Sequence, residues 1–143
     1  MSQTDTSSSL PAPAPAINVE TKAFWDATLQ GKLLLPRCND CQTVIWYPRA
    51  ICPECSSFNI GWIEASGRGS VYSYTINRRG QGDYRDLAYV LAYVELQEGP
   101  RVLTNIVGCD PESVSVGQPV EVVFAATSAA AALPRFKPAA AGG

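Results

Sequence analysis

Residues 37–55 read RCNDCQTVIWYPRAICPEC, two Cys-x-x-Cys pairs, Cys38/Cys41 and Cys52/Cys55, with ten residues between them. A Cys-x-x-Cys turn presents two thiolates to one side of a metal ion, and a second copy closes a tetrahedral shell. Asn39 and Asp40 support the first turn and Pro53 the second. Between them, Val44-Ile45-Trp46-Tyr47 is strand-like and suits the ribbon that joins two knuckles. One pair alone would be ambiguous with thiol redox chemistry. Two this close favour a structural Zn2+ site with Cys38, Cys41, Cys52 and Cys55 as ligands, with an iron centre or a redox pair as the alternatives. Four thiolates leave no open position for water, which disfavours a catalytic metal.

The rest of the composition narrows the chemistry. The chain has 143 residues, five cysteines and no histidine. Imidazole bases, Ser-His-Asp and Cys-His nucleophile systems and imidazole-containing zinc sites are thereby excluded. The length suits one domain of ordinary size. The formal net charge of −2 is a poor match to a polyanion. The apolar runs Leu33–Pro36 and Leu87–Val94 are far below the ~20 residues that cross a bilayer. The N-terminus lacks a charged start followed by an apolar core, so the expected location is cytoplasmic and disulfides are not expected.

Working outward from the cysteines, Thr21 to Gln30 fits a short helix, with Thr21 as cap, Phe24/Thr28 and Trp25/Leu29 as i,i+4 pairs and Gly31 as stop. One thin helix does not easily bury both Phe24 and Trp25. They are read either as core aromatics or as a partner-facing pair. Past the cysteines the period changes to two. Ile60–Glu64, Ser70–Ile76, Ala88–Leu96, Val102–Val107 and Pro119–Phe124 are candidate strands, separated by turn signals such as Ser66-Gly67-Arg68-Gly69 and Glu98-Gly99-Pro100. Five short strands suggest a small closed antiparallel barrel, for which the OB-fold is the commonest solution. The expected organisation is a disordered tail over residues 1–17, helix and ribbon over 18–58, barrel over 59–125, and a mostly disordered tail over 126–143. In that last stretch Leu133-Pro134-Arg135-Phe136 breaks an Ala-rich run, and Phe136 is a candidate tether.

Arg78-Arg79-Gly80-Gln81-Gly82-Asp83-Tyr84-Arg85 lies between two predicted strands. It reads either as a solvated hairpin loop or as a cationic site. In the second case Arg78, Arg79, Arg85 and Tyr84 capture ligand phosphates or an acidic partner. Cys109, in a turn-like Gly-Cys-Asp-Pro context, reads as a free buried thiol. No carboxylate pair has a spacing that supports acid/base work, so no catalytic residue is assigned.

Two longer patterns add a resemblance. Phe24-Trp25-Asp26, Gly31-Lys32-Leu33-Leu34-Leu35-Pro36-Arg37-Cys38-x-x-Cys41 and Tyr47-Pro48-Arg49-x-x-Cys52-Pro53-x-Cys55 form the first. The second comprises Gly67-Arg68-Gly69-Ser70-Val71-Tyr72, then Glu98-Gly99-Pro100-Arg101-Val102-Leu103-Thr104-Asn105, then Gly117-Gln118-Pro119-Val120-Glu121-Val122. Together these resemble the DUF35 family, the acyl-CoA-associated zinc-ribbon/OB-fold proteins, from about Thr21 to Pro138. Gln42 departs from the family's pattern, in which glycine commonly follows the second cysteine.

The resemblance implies a mainly β fold with a short N-terminal helix, a rubredoxin-like zinc ribbon and a C-terminal five-stranded OB-fold barrel. It further implies an accessory role beside a thiolase-like enzyme subunit, in a two-plus-two assembly, with acyl-CoA at the shared interface. That partner would be an aldolase, thiolase or acyltransferase of lipid or steroid thioesters and would supply the chemistry. A single-stranded nucleic-acid module is the alternative, with Tyr72, Tyr74, Tyr89 and Tyr93 as stacking platforms. Against it, residues 18–125 carry nine basic and twelve acidic side chains, without the basic footprint such binding needs. A free-standing enzyme is a third and weaker reading.

Overall fold

The computed structural model describes residues 10–139; residues 1–9 and 140–143, and the parts of the two expected tails that fall there, lie outside the described residues. One helix, α1 (Lys22–Thr28), precedes seven strands: β1 (Leu34–Cys38), β2 (Ile60–Glu64), β3 (Arg68–Asn77), β4 (Tyr89–Leu96), β5 (Arg101–Ile106), β6 (Pro119–Ala126) and β7 (Ala132–Pro138). β1 and β2 form a two-stranded antiparallel sheet, and the other five close a barrel in the order β3-β4-β5-β7-β6. This is the mainly β, ribbon-plus-barrel architecture the sequence indicates.

The helix is shorter than predicted. Thr21 stands at its N-cap as expected but makes no side-chain capping bond, because its hydroxyl accepts from the Asn18 N–H at 3.1 Å, in a turn that the Asn18 side chain closes from the other side at 3.0 Å. Gly31 does supply the stop. With φ of 73° it turns the chain left-handed, so the Lys32 N–H reaches back to the Ala27 carbonyl at 3.0 Å.

The barrel has five strands, but not the five expected. Ile60–Glu64 leaves the barrel set and pairs with β1, from Cys38↔Ile60 to Leu34↔Glu64. β1 was missed because Pro36 sits in it. Proline is tolerated there on the outer edge of a two-stranded sheet, where its carbonyl accepts from the Ile45 N–H at 2.8 Å. Its barrel place is taken by β7, inside the segment expected to be a mostly disordered tail. β7 pairs with β6 along its whole length, from Val120↔Pro138 to Ala126↔Ala132, and meets β5 in parallel at Ile106↔Phe136. Pro134 is the local signal by which the segment reads as broken. Tertiary pairing overrides that local signal, and Phe136 is buried in the core rather than a loose tether.

Alternation sets the barrel core. Val90, Ala92, Val94 and Leu96 of β4 point inward, meeting Val71, Val102, Ile106, Val120 and Phe136. Gly69 is required where β3 crosses β4, since any side chain there would collide with the Glu95 carbonyl. The same continuous core includes Phe24, Trp25, Leu33 and Leu35. Helix, ribbon base and barrel therefore share one apolar interior. Only the knuckles have a separate small cluster, of Cys38, Ile45 and Cys52 with Ile60 against it. No helix among the described residues is long and apolar enough to cross a membrane.

Candidate metal centre and the pocket beside the barrel seam

β1 delivers Cys38 at its end, and the chain then turns through two knuckles of matching shape. In the first, the Gln42 N–H donates to the Cys38 carbonyl at 2.9 Å; in the second, Ser56 N–H does the same to Cys52 at 2.9 Å. Gln42 and Ser56 both have left-handed backbones, with φ of 71° and 65°. That conformation explains why glycine suits the position after a second cysteine. Gln42 is held in it by its own side chain, which meets Arg37 and the Asn39 carbonyl.

The four sulfurs lie within 4.8 Å of one another. Cys38–Cys55 and Cys41–Cys52 are each 3.6 Å apart. Tetrahedral coordination at a Zn–S length of about 2.3 Å sets sulfurs about 3.8 Å apart, whereas a disulfide needs about 2 Å. The donor set and its spacing therefore fit Zn2+, and no open position remains for a substrate. N–H groups of Cys41 and Glu54 point at the Cys38 and Cys52 sulfurs, each at 3.4 Å.

The thiols differ in acidity. Cys41 is lowered to about 6, chiefly by the Thr43 hydroxyl at 3.1 Å and then by the Thr43 backbone. Cys55 is pushed up to about 12. The Ser57 backbone opposes that shift, but the Cys38 thiol, desolvation and the Cys41 and Cys52 thiols outweigh it. Four sulfurs this close do not all ionise without a cation between them. Around them runs a polar tie between side chains distant in the chain. Asp40 accepts from Ser57 Oγ at 2.5 Å and Asn59 Nδ2 at 3.4 Å, and Asn39 Nδ2 donates to Asn59 Oδ1 at 3.1 Å. It fastens the first knuckle to the strand leaving the second.

Phe24 and Trp25 are core residues in this chain, which corrects the partner-facing reading. Phe24 is fully buried and Trp25 nearly so. The helix packs against both β1 and β7, which together cover the side that carries these rings and leave Lys22, Ala23 and Asp26 exposed. The two rings meet edge-to-face at 4.8 Å, Phe24 meets Trp46 at 5.5 Å, and the Trp25 Nε1–H donates to the Tyr47 hydroxyl at 3.1 Å. Trp25, Trp46 and Tyr47 of this cluster form, with Leu33, one wall of a cavity of about 270 Å³ whose other walls are residues 102–105 of β5 and 133–136 of β7. The cavity exists because β5 and β7 pair at a single position and then diverge. Across the gap, Thr104 Oγ1 donates to the Pro134 carbonyl at 3.1 Å. The lining is mainly apolar and, among the described residues, contains no carboxylate and no cysteine.

The predicted cationic loop is divided. Arg78 pairs with Glu112, whereas Arg79 and Arg85 are exposed and have no ion pair among the described residues. The Tyr84 hydroxyl donates to the Pro11 carbonyl at 3.2 Å, and its ring leans on Tyr89 at 5.0 Å. Of the other tyrosines, Tyr72 lies beneath the Arg101 guanidinium at 3.9 Å, while Tyr74 and Tyr93 are exposed. Cys109 is a free thiol, half-buried rather than buried as expected.

Arg135 was assigned no role from the sequence, yet it is 2 % exposed, and no carboxylate pairs with it among the described residues. Its guanidinium donates from Nη1 to the Leu10 carbonyl at 3.3 Å and from Nη2 to the Pro11 carbonyl. Burial lowers its proton affinity, an effect the adjacent Tyr84 opposes. The end of the expected disordered tail is thus placed against the barrel, because a buried guanidinium needs acceptors.

A four-cysteine ribbon whose apolar base is continuous with an OB barrel defines a two-part zinc-ribbon/OB-fold protein. Residues 25–61 match the family described as the ChsH2 rubredoxin-like zinc ribbon domain, and residues 62–125 match the ChsH2 C-terminal OB-fold domain. The chain belongs to this DUF35 family. A DUF35 domain-containing scaffold protein of Methanothermobacter thermautotrophicus is 41% identical over 90 residues, covering 62% of this chain and 68% of that protein. A probable enoyl-CoA hydratase alpha subunit of Thermomonospora curvata is 38% identical over 127 residues, 89% of this chain; the chain spans only 40% of that relative's length. The solved structure described as Ltp2-ChsH2(DUF35) aldolase contains a chain that superposes with a TM-score of 0.80 at 37% identity, covering 89% of this chain and all of that one.

Proposed function

We propose that this chain is a non-catalytic accessory subunit of a thiolase-like complex acting on acyl-CoA thioesters, stabilising its partner and helping to shape acyl-CoA binding. The observation that carries the reading is the match, over the whole of the other chain, to the DUF35 chain of an aldolase. The relative named as an enoyl-CoA hydratase alpha subunit supports a place among CoA thioesters. The geometry is in keeping with it. The metal shell is closed, and among the described residues the cavity lining holds no carboxylate or thiol to act as base or nucleophile. Aldolase, thiolase and acyltransferase partners all fit, on lipid or steroid acyl groups. A two-plus-two heterotetramer working in the cytoplasm is the proposed assembly, without nucleic acid or membrane.

The test is co-expression with a thiolase-like protein from the same organism. The expected result is a co-eluting complex of equal subunit number, with CoA-thioester activity that neither part shows alone. Separate elution together with full activity of the enzyme by itself would end the proposal.

A further inference from the structure

Arg135 presents its two outer nitrogens side by side to two carbonyl oxygens of consecutive residues, Leu10 and Pro11. That is the arrangement in which a guanidinium grips two oxygens of one anion. The carbonyls take up two of its five N–H donors and none of its charge, and the cation is buried with no carboxylate partner among the described residues. Tyr84 brings a hydroxyl to the same place and spends it on the Pro11 carbonyl. Arg79 and Arg85, near Tyr84 in the same loop, add exposed positive charge without ion-pair partners among the described residues. We propose that Arg135 and Tyr84 form a binding site for a phosphate ester, and that the Leu10–Pro11 segment is a strap occupying it in competition with the ligand.

A phosphate group offers two oxygens to the Arg135 fork and a further acceptor to Tyr84, and it brings the missing negative charge. A phosphate carries more negative charge and more acceptor oxygens than a single carboxylate, so phosphate is the better occupant. Binding displaces the two carbonyls into water, where they are readily hydrated, so the exchange replaces neutral acceptors with a charged one. The segment that follows, Ala12-Pro13-Ala14-Pro15-Ala16, is stiffened by its prolines. The strap is therefore expected to swing away as a unit rather than collapse. This site does not depend on the accessory-subunit reading, because its probe is inorganic.

The experiment titrates the zinc-loaded full chain with inorganic pyrophosphate while NMR follows the amides of residues 10–12 and the Arg135 Nε–H resonance. Both sets are expected to move along one saturable isotherm. Arg135→Lys, which keeps the charge and loses the fork, should weaken binding by about tenfold or more. Removing residues 2–11 should tighten it severalfold. Pro11→Gly, which loosens the strap without deleting it, should act in the same direction and serves if the shortened chain unfolds. The proposal is overturned by a silent Arg135 resonance with shifts confined to Arg79 and Arg85, by unchanged affinity in Arg135→Lys, by indifference to the strap changes, or by absence of saturation. Acetate displacing the strap as well as pyrophosphate does would overturn the assignment to phosphate.

Discussion

The Thr28 hydroxyl accepts a hydrogen bond from the Ala132 N–H at 3.0 Å while donating to the Trp25 carbonyl at 2.5 Å. The residues it joins are 104 positions apart. This contact fastens the last turn of α1 to the first residue of β7, the strand that closes the barrel. Thr28→Val keeps the shape and removes both bonds, leaving a buried N–H without a partner. A loss of about 1–3 kcal/mol is expected in chemical denaturation, with Thr28→Ser retaining more stability than Thr28→Val.

Phe136 is buried where β5 and β7 make their single pairing. Phe136→Ala is expected to lower stability by about 3–5 kcal/mol. A chain ending before Ala132 should lose cooperative unfolding altogether, as followed by calorimetry. A truncated chain that melts like the full one would show that β7 is dispensable.

Metal removal is expected to undo the knuckles before the barrel, because the knuckles have only a small cluster of their own while the barrel core is extensive. Structural zinc contributes an apparent ~10–16 kcal/mol in small modules, more than a ribbon this size supplies by packing. With Trp25 and Trp62 replaced by Phe, chelation should change Trp46 emission at concentrations that leave the β circular dichroism intact. Emission that ignores the chelator would count against the site, as would a metal content well below one per chain.

Zinc affinity should fall as pH falls, since protons compete for the thiolates. Cys41, lowered to about 6, is already ionised at neutral pH, so zinc uptake there should release fewer than four protons. Cys55, pushed up to about 12, must give up one. Below pH 6 Cys41 also holds its proton and the affinity should drop more steeply. Chelator competition between pH 5 and 8 reads this directly, and a flat profile contradicts it.

Gln42 occupies a left-handed position, fixed by contacts to Arg37 and Asn39. Gln42→Val puts a β-branched residue there and removes those contacts. A stability loss of about 1–2 kcal/mol is expected from the backbone alone, while Gln42→Gly should stay near the parent in thermal melts.

The cysteine spacing, the alternation of β4 and the Gly31 stop could be read from the chain because each is a local signal. Two metal-binding turns, a period of two and a left-handed glycine are written in consecutive residues. Which strands make the barrel was not so written. Pro36 and Pro134 disguise β1 and β7 locally, and only the partners supplied by β2 and β6 make them strands.

The aromatic pair and the arginines divide in the same way. The sequence by itself established a closed four-thiolate shell, an OB-type barrel and the lack of any imidazole chemistry. Only the tertiary structure placed Phe24 and Trp25 in the core, opened a cavity where β5 and β7 part, and buried Arg135 beneath residues more than a hundred positions away. The physical reason is that ligation and alternation depend on neighbours in sequence. Burial and charge pairing depend on neighbours in space, which the chain acquires only when the last strand closes the barrel.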